Sequence, residues 1–115
     1  MAEGYENNLY GEVTITPYSG VSLNDSSVTR IGNLVAGTIK VGVSANANEW
    51  KNLVMISPPP KKSGNTNDIS VPAVRTGDGS YLGMIAFHTN SAVVLYSKQT
   101  LTGNELSFTF AYKTN

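Results

Sequence analysis

Histidine occurs once in this chain, at position 88, and cysteine not at all. Those two counts remove much of the chemistry a small domain can perform. Without thiolates there are no disulfides, no Cys-ligated zinc and no cysteine nucleophile. His88 has neither a second histidine nor a carboxylate cluster at metal-ligand spacing, so no metal and no cofactor is expected. Serines are plentiful, but no G-x-S-x-G elbow exposes one as a nucleophile. Glycoside hydrolysis needs two carboxylates placed across the scissile bond, whereas Asp25, Asp68 and Asp78 fall singly in loop-like stretches. "GDGSYLG" (77–83) approaches a dinucleotide-binding loop, yet Leu82 takes the third glycine's place and the stretch lies between strands. Enzyme activity is not expected.

Binding chemistry remains. Trp50 is the only tryptophan and sits where a loop becomes a strand. Its indole combines a large flat area with one donor, suiting a sugar ring or a protein partner, or simply the closure of one end of a β-domain. Arg75, Asp78 and Tyr81 cluster around one turn. Together they offer a bidentate donor, an acceptor and an aromatic body, a set that suits saccharide hydroxyls, although charged turns also serve solvent alone. His88, at a strand end, is either an exposed polar residue or a ligand's donor and acceptor. The candidate ligand-binding residues are therefore Trp50, Arg75, Asp78, Tyr81 and His88. Asn24-Asp25-Ser26 is a formal glycosylation acceptor.

Charge narrows the partners. Eight basic and eight acidic side chains cancel, and nucleic acid demands a basic field that is absent here. Lys61-Lys62 is the only adjacent basic pair. No stretch approaches the roughly 18 apolar residues of a membrane span, so no membrane insertion is expected. "MAEGYENNLYG" carries two glutamates and no apolar run, unlike a secretory signal.

The elements that position these residues read as strands. In "EVTITPY", Val13, Ile15 and Pro17 share one face. In "LVAGTIKVGV", Val35, Ile39, Val41 and Val43 are in phase, opposite Thr38 and Lys40. "ELSFTFAYKT" aligns Leu106, Phe108, Phe110 and Tyr112. "TGDG" (76–79), "HTNS" (88–91) and "LTGNE" (101–105) read as turns. No sustained 3.6-residue stripe occurs. The pattern predicts an all-β, antiparallel β-sandwich of jelly-roll type.

Two runs, "YLGMIAF" (81–87) and "AVVLY" (92–96), are apolar on both faces. Either a subunit contact or a covering loop would hide the second face. Ala36 and Gly42 on the weaker face of the 34–43 strand allow close approach by a neighbour. After Ile56, "SPPPKK" ends the strand, since proline donates nothing to a ladder, and stiffens the exit. The polar run beyond it, to residue 70, lacks apolar area to order itself. Residues 1–10 read as a leading segment, with the domain cut from a longer chain, and 11–115 as a single head domain.

Taken in order, "GEVTITPYSG" (Gly11 to Gly20), "RIGNLV" (Arg30 to Val35), the Trp50 to Pro60 segment and the closing "AYKTN" (Ala111 to Asn115) span nearly the whole chain. In that order they resemble the C-terminal head domains of bacteriophage tail fibres and baseplate receptor-binding proteins. The resemblance implies a homotrimeric, jelly-roll-like head at the tip of a virion tail, outside the cell. Its implied task is non-covalent binding of host cell-surface carbohydrate or another receptor. A strand ending beside Asn115 fits a distal domain. The alternatives are a trimerising or decoration domain of the fibre without a ligand, and a depolymerase, which the missing carboxylate pair opposes. Family members close the central segment with a "G-Y-R-P" loop where this chain has "SPPPKKSGNTND". Fold and general role carry over on the resemblance; no individual binding residue does.

Overall fold

The computed structural model describes residues 12–61 and 69–114. The expected leading segment 1–10 and the polar run 62–68 lie outside the described residues. Among the described residues nine strands follow one another: β1 (Thr14–Pro17), β2 (Ser22–Leu23), β3 (Ser27–Ile31), β4 (Leu34–Ala45), β5 (Trp50–Ser57), β6 (Ile69–Arg75), β7 (Tyr81–Phe87), β8 (Ala92–Ser97) and β9 (Leu101–Lys113). Among the described residues no helix is long and apolar enough to cross a membrane.

Every ladder is antiparallel. All nine strands belong to one sheet in the order β1-β5-β8-β7-β6-β9-β4-β2, with β3 also paired to β4. The two ends of that order, β1 and β2, are consecutive in the chain. They are linked by a tight turn in which the Val21 N–H donates to the Tyr18 carbonyl at 3.0 Å. The sheet is thus nearly closed into a barrel-like shape. Hydrogen bonding runs through one continuous sheet where the sequence suggests a sandwich of two. The physical reason is length: β4 has 12 residues and β9 has 13, enough to bend around the core without breaking the ladder. Irregularities between Val43 and Ala45, Asn52 and Val54, and Ala73 and Val74 add local twist that helps the sheet curl.

Alternation places the core inside. Val35, Ile39, Val41 and Val43 of β4 and Leu106, Phe108, Phe110 and Tyr112 of β9 are all buried, as their spacing predicts. Phe87 of β7 meets Phe108, Phe110 and Tyr112 at centroid distances of 5.9, 4.6 and 5.7 Å. Leu53 and Ile56, Leu82 and Ile85, and Val93 and Leu95 complete the interior from β5, β7 and β8. Each such side chain contributes about 1.5–3 kcal/mol on burial. Pro17, in phase with the partly buried Val13 and Ile15, is exposed.

Two further expectations change. "LTGNE" is no turn: Gly103, at φ 62°, forms a bulge inside β9, and the strand continues back to Leu101. The Gly103 N–H donates to Ser44 Oγ at 2.9 Å, and the Thr102 N–H to Asn104 Oδ1 at 2.8 Å, so the displaced backbone groups stay satisfied. Close approach to β4 occurs at Gly37 rather than Gly42. A Cβ on Gly37 would stand 2.1 Å from the Ser27 carbonyl oxygen of β3, whereas one on Gly42 meets nothing nearer than 3.7 Å.

The proline exit is pinned. The Tyr112 hydroxyl donates to the Pro58 carbonyl at 2.7 Å, Thr114 Oγ1 to the Pro59 carbonyl at 2.6 Å, and the Lys61 N–H to the Lys113 carbonyl at 2.8 Å. Pro60 is buried. The segment therefore lies against the end of β9.

Candidate functional site

The outward face of β5, β8, β7 and β6 carries two rows of side chains. Directly opposed residues share a face of a sheet, and the register makes Trp50, Tyr96, Met84 and Pro72 one row across the four strands. The next row, two residues along each strand, is Asn52, Val94, Ala86 and Ser70. The intervening residues Leu95 and Ile85 point inward and are fully buried, and Val71, between Pro72 and Ser70, is partly buried against the core. Both-sided apolarity of 81–87 and 92–96 thus arises because one side builds the core and the other builds this outer face.

Trp50 dominates the face. It is 62% exposed, which settles the question left by its position: it does not close the end of the barrel. Its ring packs on Tyr96 with centroids 5.0 Å apart at 55°, an aromatic pair that supports the indole on one side. The preceding turn fixes the backbone. Asn48 takes the left-handed conformation at φ 62°, which asparagine tolerates better than most residues. Its N–H donates to the Ser97 carbonyl at 2.7 Å, while the Ser97 N–H donates to the Glu49 carbonyl at 3.3 Å. Ser97 is itself buried and its hydroxyl bonds to the Gln99 carbonyl.

Three hollows meet at Trp50. One, of about 420 Å³, is lined by Trp50, Ser70, Ala86, His88 and Val94; Ala86 and Val94, nearly buried, form its apolar floor. A second, of about 450 Å³, shares only Trp50 with the first and is otherwise lined by Ser44, Ala45, Asn46, Glu49, Lys51 and Thr100 to Thr102. There the Asn46 amide donates to Glu49 Oε1 at 3.1 Å. A third, of about 300 Å³, is bounded by Tyr18, Ser19, Lys51 and Asn52. One exposed aromatic plate thus borders polar groups of both charges, hydroxyls and an apolar recess.

Of the five residues singled out from sequence, the fold unites Trp50 and His88 in one hollow. His88 follows β7, and its backbone closes the β7–β8 turn: its N–H donates to the Ala92 carbonyl at 2.9 Å and its carbonyl accepts from Ser91 at 3.2 Å. Arg75, Asp78 and Tyr81 stand together on the β6–β7 hairpin, outside the lining of the three hollows. Asp78 Oδ1 accepts from the Ser80 N–H at 3.0 Å and from Ser80 Oγ at 2.8 Å. Those two bonds, then the charge of Arg75, hold its carboxyl below the usual range. Asp78 is the brace of its turn. Arg75 is half-buried with Nε out of water and in no hydrogen bond, and its main chain clamps the hairpin through Gly79 and Ser80. Tyr81 is half exposed.

Glu105 ties the same end of the sheet together. It accepts from Thr76 Oγ1 at 2.6 Å and from the Asn24 amide at 2.7 Å, which lowers its pKa. The glycosylation-type triplet is also occupied structurally. Between β2 and β3 the register against β4 slips, and Ser26 Oγ fills the gap by accepting the Lys40 N–H at 3.1 Å.

Sequence reasoning missed Tyr96, Val94 and Ala86. Their signal was present in the two-sided apolar runs, but only the register shows that they surround Trp50. Among the described residues no group of three or more His, Asp or Glu is placed to hold a metal ion. No family model matches the chain, and neither a curated protein nor a solved structure is found similar to it.

Proposed function

We propose that this chain is a non-catalytic recognition domain that binds saccharide of a host cell surface, with Trp50 as its platform. The observation that carries this reading is the sole tryptophan, 62% exposed, braced by Tyr96 and shared by three hollows. Leaving so large an apolar ring in water is unfavourable unless something covers it. A pyranose ring presents a C–H face to stack on an indole and hydroxyls that need both donors and acceptors. Asn46, Glu49, Lys51 and Thr102 supply these around the plate. The setting we propose is the one the sequence resemblance implies, a head domain at the tip of a phage tail. Weak sites in a homotrimer would then gain retention through multivalency. Binding to a glycan panel and to host envelope polymer tests the idea. Trp50→Ala should lower affinity by about 2 kcal/mol or more while the fold is retained; wild-type affinity in that variant overturns the proposal.

A second reading, a trimerising or decoration domain without its own ligand, is favoured by the apolar row that continues from Tyr96 to Met84 and Pro72. In that case the glycan panel stays blank while the assembly remains intact.

A further inference from the structure

We infer that the ligand is an N-acetylated oligosaccharide lying across Trp50, its acetamido methyl seated on Ala86 and Val94 and its neighbouring sugar in the second hollow that Trp50 lines. This rests on the saccharide reading above and names the class of sugar. The two larger hollows that Trp50 lines differ in chemistry. In one, Ser44, Asn46, Glu49 and Thr102 present polar groups suited to bare hydroxyls. In the other, the floor is made of Ala86 and Val94, each only 6% exposed, with Ser70 and His88 at the margin.

A hydroxyl pressed onto that floor would lose its water and find no partner beneath it. A methyl group meets no such penalty, and an amide beside it has polar side chains within the same hollow. Both volumes, about 420 and 450 Å³, lie in the range of roughly 300–1,000 Å³ typical of small-molecule sites. Trp50 is the one residue their linings share, so a single sugar fills one hollow and leaves the other empty. A chain of two or more linked sugars fills both.

Because Trp50 is the only tryptophan, its fluorescence reports on this site alone. Titration with N-acetylglucosamine oligomers of one to four units, against cellotetraose as the same backbone without acetamido groups, separates the parts of the proposal. Affinity is expected to rise about tenfold or more from the single sugar to the tetramer, and to exceed that for cellotetraose by a similar factor. Val94→Thr, which keeps the branched shape but adds a hydroxyl to the floor, should weaken the N-acetylated tetramer about tenfold. Equal affinity for the two tetramers, or none for the acetylated series, overturns the inference. If other glycans then still bind in a Trp50-dependent way, the saccharide reading stands without it; if no glycan binds, both fall.

Discussion

At the scale of single residues, polar side chains in this fold serve two separate ends. Asp78, Glu105 and Ser26 are engaged in bracing turns and a register slip, whereas Asn46, Glu49 and Lys51 line a hollow beside Trp50. Tyr112 shows how strict the first class is. Its ring is buried among Phe87 and Phe110, and its hydroxyl satisfies the Pro58 carbonyl at 2.7 Å. Burial pushes its pKa up from 10.0 to about 12, against the smaller opposing effect of the Arg30 charge. Removing the hydroxyl in Tyr112→Phe leaves that carbonyl unpaired, and denaturant unfolding near neutrality should register a loss of about 1–2 kcal/mol. The pH dependence has a definite sign. Below pH 10 the phenol is neutral in both folded and unfolded chains, so the contribution is fully present. Between pH 10 and about 12 only the unfolded chain ionises, and stability falls by on the order of 2 kcal/mol. Tyr112→Phe should lack that component, seen as a difference between the two alkaline stability curves. Identical curves would count against the assigned environment. Spacing alone placed Tyr112 on the inner face; its bond to Pro58, which lies 54 positions away in the chain, had no local signal.

At the scale of elements, the strands with clean alternation were legible and the irregular ones were not. β9 from Glu105 onward and β4 follow period two because each has one wet and one dry side. The bulge at Gly103 reads as a turn in the sequence, since a glycine with positive φ serves both purposes and only the partner strand distinguishes them. Gly83 is the sharper case. It lies in the β7–β8 ladder at φ 152°, where a Cβ would stand 2.1 Å from the Tyr96 carbonyl oxygen. That contact is with backbone, so no side chain can swing aside. Gly83→Ala is expected to cost about 3 kcal/mol and lower Tm by about 10 °C. Because Tyr96 supports Trp50, the emission of Trp50 in the folded variant should shift as well. A thermal melt and an emission spectrum unchanged from wild type would show that β7 and β8 have more slack than their spacing allows.

At the scale of the whole molecule, one sheet encloses one core and leaves an apolar row outside it. Trp50, Met84 and Tyr81 are exposed on β5 and β7, and Met55 adds to the exposed apolar residues of β5. In the homotrimer we propose, a second copy resting on the Met84 and Pro72 end of the row would leave the Trp50 hollows at the subunit boundary. Light scattering should then give three times the 12.2 kDa chain mass, and Met84→Lys, placing a charge in the contact, should return it to one. A monomeric wild type removes the trimer and leaves the single-chain Trp50 site to stand by itself. From the sequence by itself came the all-β class, the inner faces of β4 and β9 and the stop at the prolines. These follow from local chemistry: side-chain period and missing donors. Only the tertiary structure decided that the strands form one nearly closed sheet, that Asp78 belongs to its turn, and that Trp50 stands exposed on Tyr96 between a polar and an apolar hollow. Strand order and register are set by contacts between residues far apart in the chain, where a shift of one residue exchanges the two faces of a strand, and no local pattern carries that information.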